Sequence, residues 1–398
     1  MTLIGFLGVL LAFAFVPFAT RQMTLGRLNL IAVLLIVHLT SALIYYRYTQ
    51  SNFVDAYGYY FAPRNFAGKS WAYLGSVLVG HVVQAMKFHL KASYLDCFIV
   101  FQTIGFWGIM VLMRSFSEIH EKACAKPTTL PTYILFLPSM QFWTSAIGKD
   151  APMFFAISLC TWSALNFSKR KIVLVISVVI MLLLRPHIAL ATVIAFALAS
   201  LSHSQVNAGR KILVLLVTLM AIGFLLSAVR SSFDVNLIDS DSLSRFMDTR
   251  SVNEATDTAN SSIAGYGFFL RAIGLLFRPI FFDAANAFGF IASIENVGSI
   301  LLFLYLAMHM REIVYMSGRV LFIRFALVLS MIFIAVLSLM NYNIGLGLRE
   351  RVMVMPPLFS LFVARYAFGR GRVLLRQQQL PYSPGVPAKQ ESNGVVTT

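Results

Sequence analysis

The feature that most limits what this chain can fold into is the recurrence of apolar runs long enough to cross a lipid bilayer. Eleven spans can be traced, at 3–19, 28–48, 94–113, 130–147, 151–167, 172–184, 187–201, 212–229, 285–309, 320–340 and 352–368, of which 172–184 and 187–201 are short arms on either side of Arg185-Pro186. A helix needs roughly 17–25 mostly apolar residues to traverse the hydrocarbon layer. The runs are continuous rather than alternating, which argues against the strands of a membrane barrel. Apolar residues make up 58% of the chain and charged residues 12%, whereas a soluble domain carries about 25% charged residues. One water-facing core could not hide that much Leu, Ile, Val and Phe. Stretches 71–90 and 263–282 are apolar but interrupted by polar groups, and read as interfacial or re-entrant helices.

The expected architecture is therefore all-α: a polytopic integral membrane protein with about eleven transmembrane helices. Residues 1–368 form one transmembrane domain, with outer loops at 49–93 and 230–284. Residues 369–398 are expected to be a disordered cytoplasmic tail. The run at 3–19 has no basic leader before it and is expected to be a retained first span.

Charge orients this map. The net charge is +16, which in a soluble protein would suggest nucleic acid. No basic stretch interleaved with aromatics supports that partner. The positive charge instead segregates. Arg21, Arg27, Arg114, Lys122, Lys126, Lys169, Arg170, Lys171, Arg210, Lys211, Arg311, Arg319, Arg324 and the tail cations fall in one set of connections. That set holds eighteen of the 32 lysines and arginines but four of the 16 acids. Such a bias marks the cytoplasmic side. The N-terminus is then outside and the C-terminus inside, as an odd number of spans requires.

Charges within or beside apolar spans are costly and each asks for a reason. On this map the unusual ones gather at the outer side: Asp55, Lys149-Asp150, Arg185-Pro186-His187, Arg278-Pro279, Glu295-Asn296, and Asn343 with Arg349, Glu350 and Arg351. Ordinary loop charge is the competing reading for any one of them. As a set, fixed guanidinium groups suit bidentate binding of a phosphate or pyrophosphate. Lys149, Arg185, Arg278, Arg349 and Arg351 are thus candidate substrate-binding residues. Asp55 is the first candidate for a general base that removes a proton from an attacking hydroxyl, with Asp150 and His187 next. Tyr57 and Tyr60, among the crowd of Tyr45, Tyr46, Tyr48, Tyr59 and Trp71, offer either a sugar-stacking surface or an aromatic interface belt. The acidic stretch 230–265 lacks calcium-loop spacing and reads as a solvated lid.

Cys97 and Cys160 lie inside apolar runs and Cys124 in a basic loop. No two are spaced as a metal clip, so neither a disulfide framework nor a zinc site is expected. There is no glycine-rich phosphate loop, no nucleotide fingerprint, no His-Glu-x-x-His and no nucleophile elbow. Those gaps leave an ATP-driven pump or a membrane protease without support, and no cofactor or metal is expected.

Leu137-Pro138-Ser139-Met140-Gln141-Phe142-Trp143-Thr144-Ser145, followed by Gly148-Lys149-Asp150, resembles a stretch of bacterial polysaccharide polymerases. These are the Wzy-type and EpsG-like membrane proteins, related in architecture to GT-C glycosyltransferases. Arg185-Pro186, the block Phe277 to Phe282 running to Ser293-Ile294-Glu295-Asn296, and Asn343-Ile344-Gly345 with Arg349 and Arg351 look like further blocks of that family. The resemblance implies an enzyme that joins undecaprenyl-linked sugar repeat units at the outer face of a bacterial inner membrane. Its partners would be undecaprenyl-linked oligosaccharide, the bilayer and other polysaccharide-assembly proteins. Competing readings are a GT-C transferase using a polyprenyl-monophosphate sugar and a lipid-linked oligosaccharide flippase or transporter. A transporter would usually show repeated halves and mid-bilayer charges.

Overall fold

The computed structural model describes residues 2–20, 24–62, 75–125, 130–201, 266–284, 286–340 and 343–379, with isolated positions between 209 and 223. Every regular element among them is helical. Four helices are long and apolar enough to cross a membrane: α2 (Leu25–Ser51), α5 (Tyr94–Lys122), α11 (Ala287–Met308) and α13 (Leu321–Met340). A fifth arises if Ile344–Met353 and Met355–Gly369, which meet at 57°, count as one bent span. At 1.5 Å per residue, the 27 residues of α2 and 29 of α5 reach about 40 Å. That exceeds the roughly 30 Å of hydrocarbon.

Other helices are shorter. They are α1 (Leu3–Ala19), α3 (Asp55–Phe61), α4 (Ser76–His89), α6 (Pro138–Trp143), α7 (Asp150–Ala164), α8 (Lys171–Leu184), α9 (Pro186–Leu201), α10 (Phe268–Phe277) and α12 (Met310–Arg319). After α13 come α14 (Ile344–Glu350) and α15 (Met355–Gln379). On α8, Ile172, Val175, Ile176, Val179 and Leu183 are exposed while Leu174, Ser177, Met181 and Leu184 are buried. An apolar stripe left facing outward at helical spacing is what a lipid-facing helix presents.

The core is built around α5. Its start is set by Ser93 and Asp96, which exchange hydrogen bonds as a capping box. Asp96 also accepts from the Thr2 amide at 2.9 Å and from the Thr2 hydroxyl at 2.8 Å, which ties the entry of α1 to the same end. Phe98, Phe106, Ile109, Met110 and Leu112 of α5 are fully buried, against α1, α2, α7 and α15. Two glycines allow the close approach. A Cβ on Gly105 would lie 1.9 Å from the Thr144 carbonyl oxygen, and one on Gly108 would lie 2.6 Å from Phe154 Cδ1. Small residues of this kind are how membrane helices pack without a hydrophobic driving force between them. Gly105→Ala is expected to destabilise the protein by about 1–3 kcal/mol or more through overpacking. Gly26→Ala, which would meet nothing within 4 Å, should not. Melting curves of the purified variants decide it: equal transitions would contradict this packing.

Two expected segments, 130–147 and the tail from 369, differ in the structure, while the runs 172–184 and 187–201 keep their expected bounds. The run 130–147 is not one span but short pieces, Leu130–Tyr133, Ile134–Phe136 and α6, followed by turns to Lys149. Pro138 has no N–H to continue a helix and can only open a new one. The Gln141 side chain donates to the Leu135 carbonyl at 2.5 Å and meets His38 at 2.8 Å, so the interrupted backbone is satisfied inside the bundle. The runs 172–184 and 187–201 are helices of 14 and 16 residues, about 21–24 Å, that meet at a break on Arg185. Past Gly369, where the tail was expected to begin, α15 continues to Gln379. The tail from 380, most of the expected span 212–229, Trp71 and the acidic stretch 230–265 lie outside the described residues.

Candidate functional site

The ends of several helices define the site's location. α7 begins at Asp150, α8 ends at Leu184 beside Arg185, and α2 ends four residues before Asp55. All converge on one end of the bundle. The opposite ends of α5, α7 and α8 carry a different set of charges. Arg170 donates to Glu118 at 2.8 Å, lies 3.8 Å from the Trp162 ring, and Lys122 donates to the Leu165 carbonyl. These belong to the strongly basic connections, so the two charge classes seen in the sequence occupy opposite ends of the same helices.

The hub is the bend between α14 and α15. Asn343 starts α14 by accepting from the Gly345 and Leu346 amides. Arg349, Glu350 and Arg351 then follow in succession at its other end. Successive helical residues point about 100° apart, so the three diverge to three sets of partners. Arg349 donates from Nε to Asp150 Oδ2 at 2.5 Å and from Nη1 to Asp55 Oδ2 at 2.9 Å. Glu350 accepts from Arg185 Nη1, and Arg185 Nη2 reaches Asp150 Oδ1 at 3.2 Å. The result is one chain of ion pairs, Asp55–Arg349–Asp150–Arg185–Glu350. Its inner members are buried, at 6% exposure for Asp150, 7% for Arg185 and 3% for Glu350. Its outer end is open: the Asp55 side chain is 57% exposed.

Local structure supports each inner member. Asp150 occupies the first turn of α7, where the helix dipole favours a carboxylate. Arg185 is the residue before Pro186, a position that disfavours continued helix, and its non-helical backbone breaks the apolar run. The Arg349 guanidinium lies 5.8 Å from the Trp143 ring. Lys149 precedes Asp150 and makes no ion pair or hydrogen bond with any of the described residues. Burial, followed by the charge of Arg185, pushes its ammonium down to about 8. Burial also works against ionising Asp55. The Arg349 guanidinium outweighs that, helped by Lys149 and Arg185, and holds the carboxyl below its ordinary value.

Arg351 turns the other way. It donates to the Leu276 carbonyl at 2.8 Å, to Asn296 Oδ1, and to Glu295 Oε1 at 3.2 Å. Glu295 accepts in addition from the Ser139 amide at 2.7 Å and from the Ser139 hydroxyl, and Asn296 donates to the Pro279 carbonyl at 2.6 Å. This second cluster is buried throughout and clamps α10, α11 and the start of α6 around the bend.

The sequence candidates therefore divide. Asp55, Lys149, Asp150, Arg185 and Arg349 are brought together. Arg351 sits in the neighbouring cluster. Arg278 pairs with Asp283, five residues on, at 2.5 and 2.9 Å and joins neither. His187 lies half-buried in the first turn of α9 and makes none of these ion pairs. Tyr57 and Tyr60 lie on the same short helix as Asp55 but pack into an aromatic group. Tyr60 lies 5.2 Å from Tyr94, donates to the Ala92 carbonyl at 3.0 Å, and has Lys87 4.4 Å from its ring centre. Tyr57 stands 4.5 Å from Phe61 and 5.4 Å from Phe53. Glu350, Glu295, Asn296 and Ser139 are the members that were not among the site candidates. A carboxylate at position 295, inside an apolar span, was the available signal for that second cluster.

Among the described residues no group of three or more His, Cys, Asp or Glu side chains is placed to hold a metal. The site's chemistry is that of arginines and a lysine interleaved with carboxylates, in a helical membrane protein. Comparison with protein-family models, curated proteins and solved structures finds no match to this chain.

Proposed function

We propose that the chain is a multi-pass protein of a bacterial inner membrane, with its N-terminus outside and C-terminus in the cytoplasm, and is a polysaccharide polymerase-like glycosyltransferase. It joins undecaprenyl-linked sugar repeat units at the outer face during surface or exopolysaccharide synthesis. The observation that carries this reading is an exposed carboxylate, Asp55, at the open end of a largely buried Arg349–Asp150–Arg185–Glu350 chain, with Lys149, which pairs with none of the described residues, beside it. This is the arrangement expected where a negatively charged leaving group must be held next to a proton acceptor. The blocks that resemble the polymerase family contain Lys149, Asp150, Arg185 and Arg349, which supports the same reading.

In the proposed reaction an acceptor sugar hydroxyl attacks the anomeric carbon of the lipid-linked glycan. The new carbon–oxygen bond forms as the bond from that carbon to the pyrophosphate oxygen breaks. Undecaprenyl pyrophosphate leaves with the electron pair, and the hydroxyl proton passes to Asp55. Arg349 and Lys149 hold the leaving pyrophosphate. Arg185, bonded to Asp150 and Glu350, fixes the geometry from behind.

Cells lacking the protein provide the test. Lipid-linked glycans should accumulate as single repeat units on the outer face. Units trapped on the cytoplasmic side would instead identify a flippase, and unchanged chain lengths would remove the polymerase reading.

A further inference from the structure

We propose that Asp55 and a phosphate group compete for one seat, the outer edge of Arg349 beside Lys149, so that an incoming phosphate displaces Asp55 and frees its carboxylate. The ligand class, a phosphate or pyrophosphate ester, rests on the functional reading above; the competition rests on the geometry.

Three observations support it. First, the carboxylates in the cluster are held unequally. Asp150 is bonded to both Arg185 and Arg349, and Glu350 is buried against Arg185. Asp55 contributes a single 2.9 Å contact from a separate seven-residue helix, and its side chain is mostly exposed. A guanidinium edge binds phosphate oxygens in a bidentate fork, which a one-oxygen contact cannot match.

Second, the charges balance only when Asp55 is included. Lys149, Arg185 and Arg349 face Asp55, Asp150 and Glu350. Take Asp55 away and the remaining group carries one positive charge in excess, largely removed from water. Such a site calls for an anion.

Third, Lys149 is placed to be a second anchor. Gly148 and Lys149 form the turn against Arg349: a Cβ on Gly148 would lie 3.7 Å from Arg349 Nη2. Lys149 is surrounded by Arg185 from the end of α8, Arg349 from α14, Asp150 from its own helix and Asp55 from α3. An anion bridging Arg349 and Lys149 would favour the charged ammonium. Binding should therefore take up a proton where free Lys149 is neutral. Affinity should fall as pH rises above about 8, by up to tenfold per unit, until the pKa of the complex is reached.

The test is calorimetric titration of the purified, detergent-solubilised protein with inorganic pyrophosphate and, separately, undecaprenyl phosphate. Asp55→Asn should bind about tenfold more tightly than wild type, because the competitor is gone. Asp55→Glu, which keeps the competing charge, should bind like wild type. Lys149→Gln should bind about tenfold more weakly and lose the decline above pH 8. Matching melting curves establish that the variants are folded. Tightening with both probes assigns the seat to the phosphate group itself, and tightening with the lipid alone assigns it to a lipid headgroup. Equal or weaker binding by Asp55→Asn for both probes overturns the proposal. Tight binding without glycan transfer would leave the seat standing and remove the polymerase reading; transfer without tightening would do the reverse.

Discussion

Asp55→Asn will lower the turnover of the reconstituted protein by about 10²–10⁴-fold, the range associated with loss of a general base. The amide keeps the size of the side chain but cannot accept a proton from an attacking hydroxyl. It also cannot compete as a charged partner for Arg349, so the donor should be held more tightly as its conversion slows. A fall in both KM and kcat is the signature of a group that opposes substrate binding yet serves the reaction. A carboxylate that only anchored Arg349 would give a different result. Its loss would loosen the arginine, raise KM and leave saturated turnover near normal. Steady-state kinetics on a defined lipid-linked substrate separates the two. Near-normal saturated turnover would move the base role to Asp150 or His187. Of these, Asp150 is already bonded to two arginines.

Asp150→Asn should act on the folded state itself. Asp150 is buried and its two oxygens each meet a different arginine, Arg185 at 3.2 Å and Arg349 at 2.5 Å. Removing one member of a buried ion pair typically costs about 3–5 kcal/mol, because the partner charge stays buried without its counter-ion. Here two arginines each lose one of two counter-ions, Arg185 keeping Glu350 and Arg349 keeping Asp55. The melting transition of Asp150→Asn in detergent should drop sharply, while Asp55→Asn, altered at the exposed end, should melt close to wild type. The double variant Arg185→Met with Glu350→Gln offers an internal control. It removes both ends of one buried pair, so its cost should be less than the sum of the two single changes. Additive costs would show that these groups do not act as a unit.

The helical membrane character was legible in the sequence because its physical basis is local: continuous apolar runs and a scarcity of charge need no knowledge of the fold. The members of the central cluster other than Glu350 were legible for the same reason. Asp55, Lys149, Asp150, Arg185 and Arg349 each interrupt or abut an apolar run, and burying an unpaired charge there is too costly to be incidental. Their pairings were not legible. Glu350 meets Arg185 across 165 positions, and Arg349 meets Asp55 across 294. Nothing local to either residue encodes that meeting. Arg351 resembled Arg349 in sequence but lies two residues further around a helical turn, so it points to Glu295 instead. Arg278 looked like another cluster member, whereas Asp283, five residues away, is its partner. The run 130–147 looked like a span because apolar content does not register what Pro138 does to a hydrogen-bond ladder. Its broken form places Trp143 and the Lys149 turn at the cluster, where a straight helix would have carried them past it.

Glycan length measured in vesicles provides the most direct test of the central claim, that the cluster opening at Asp55 carries out glycosyl transfer. Purified protein would be reconstituted with a lipid-linked repeat unit as its only sugar source. The wild-type protein should convert single units into a ladder of longer lipid-linked chains, releasing polyprenyl pyrophosphate as each unit is added, and Asp55→Asn should leave almost all units single. Repeat units that stay single with the wild-type protein, or a ladder formed equally well by Asp55→Asn, would contradict it.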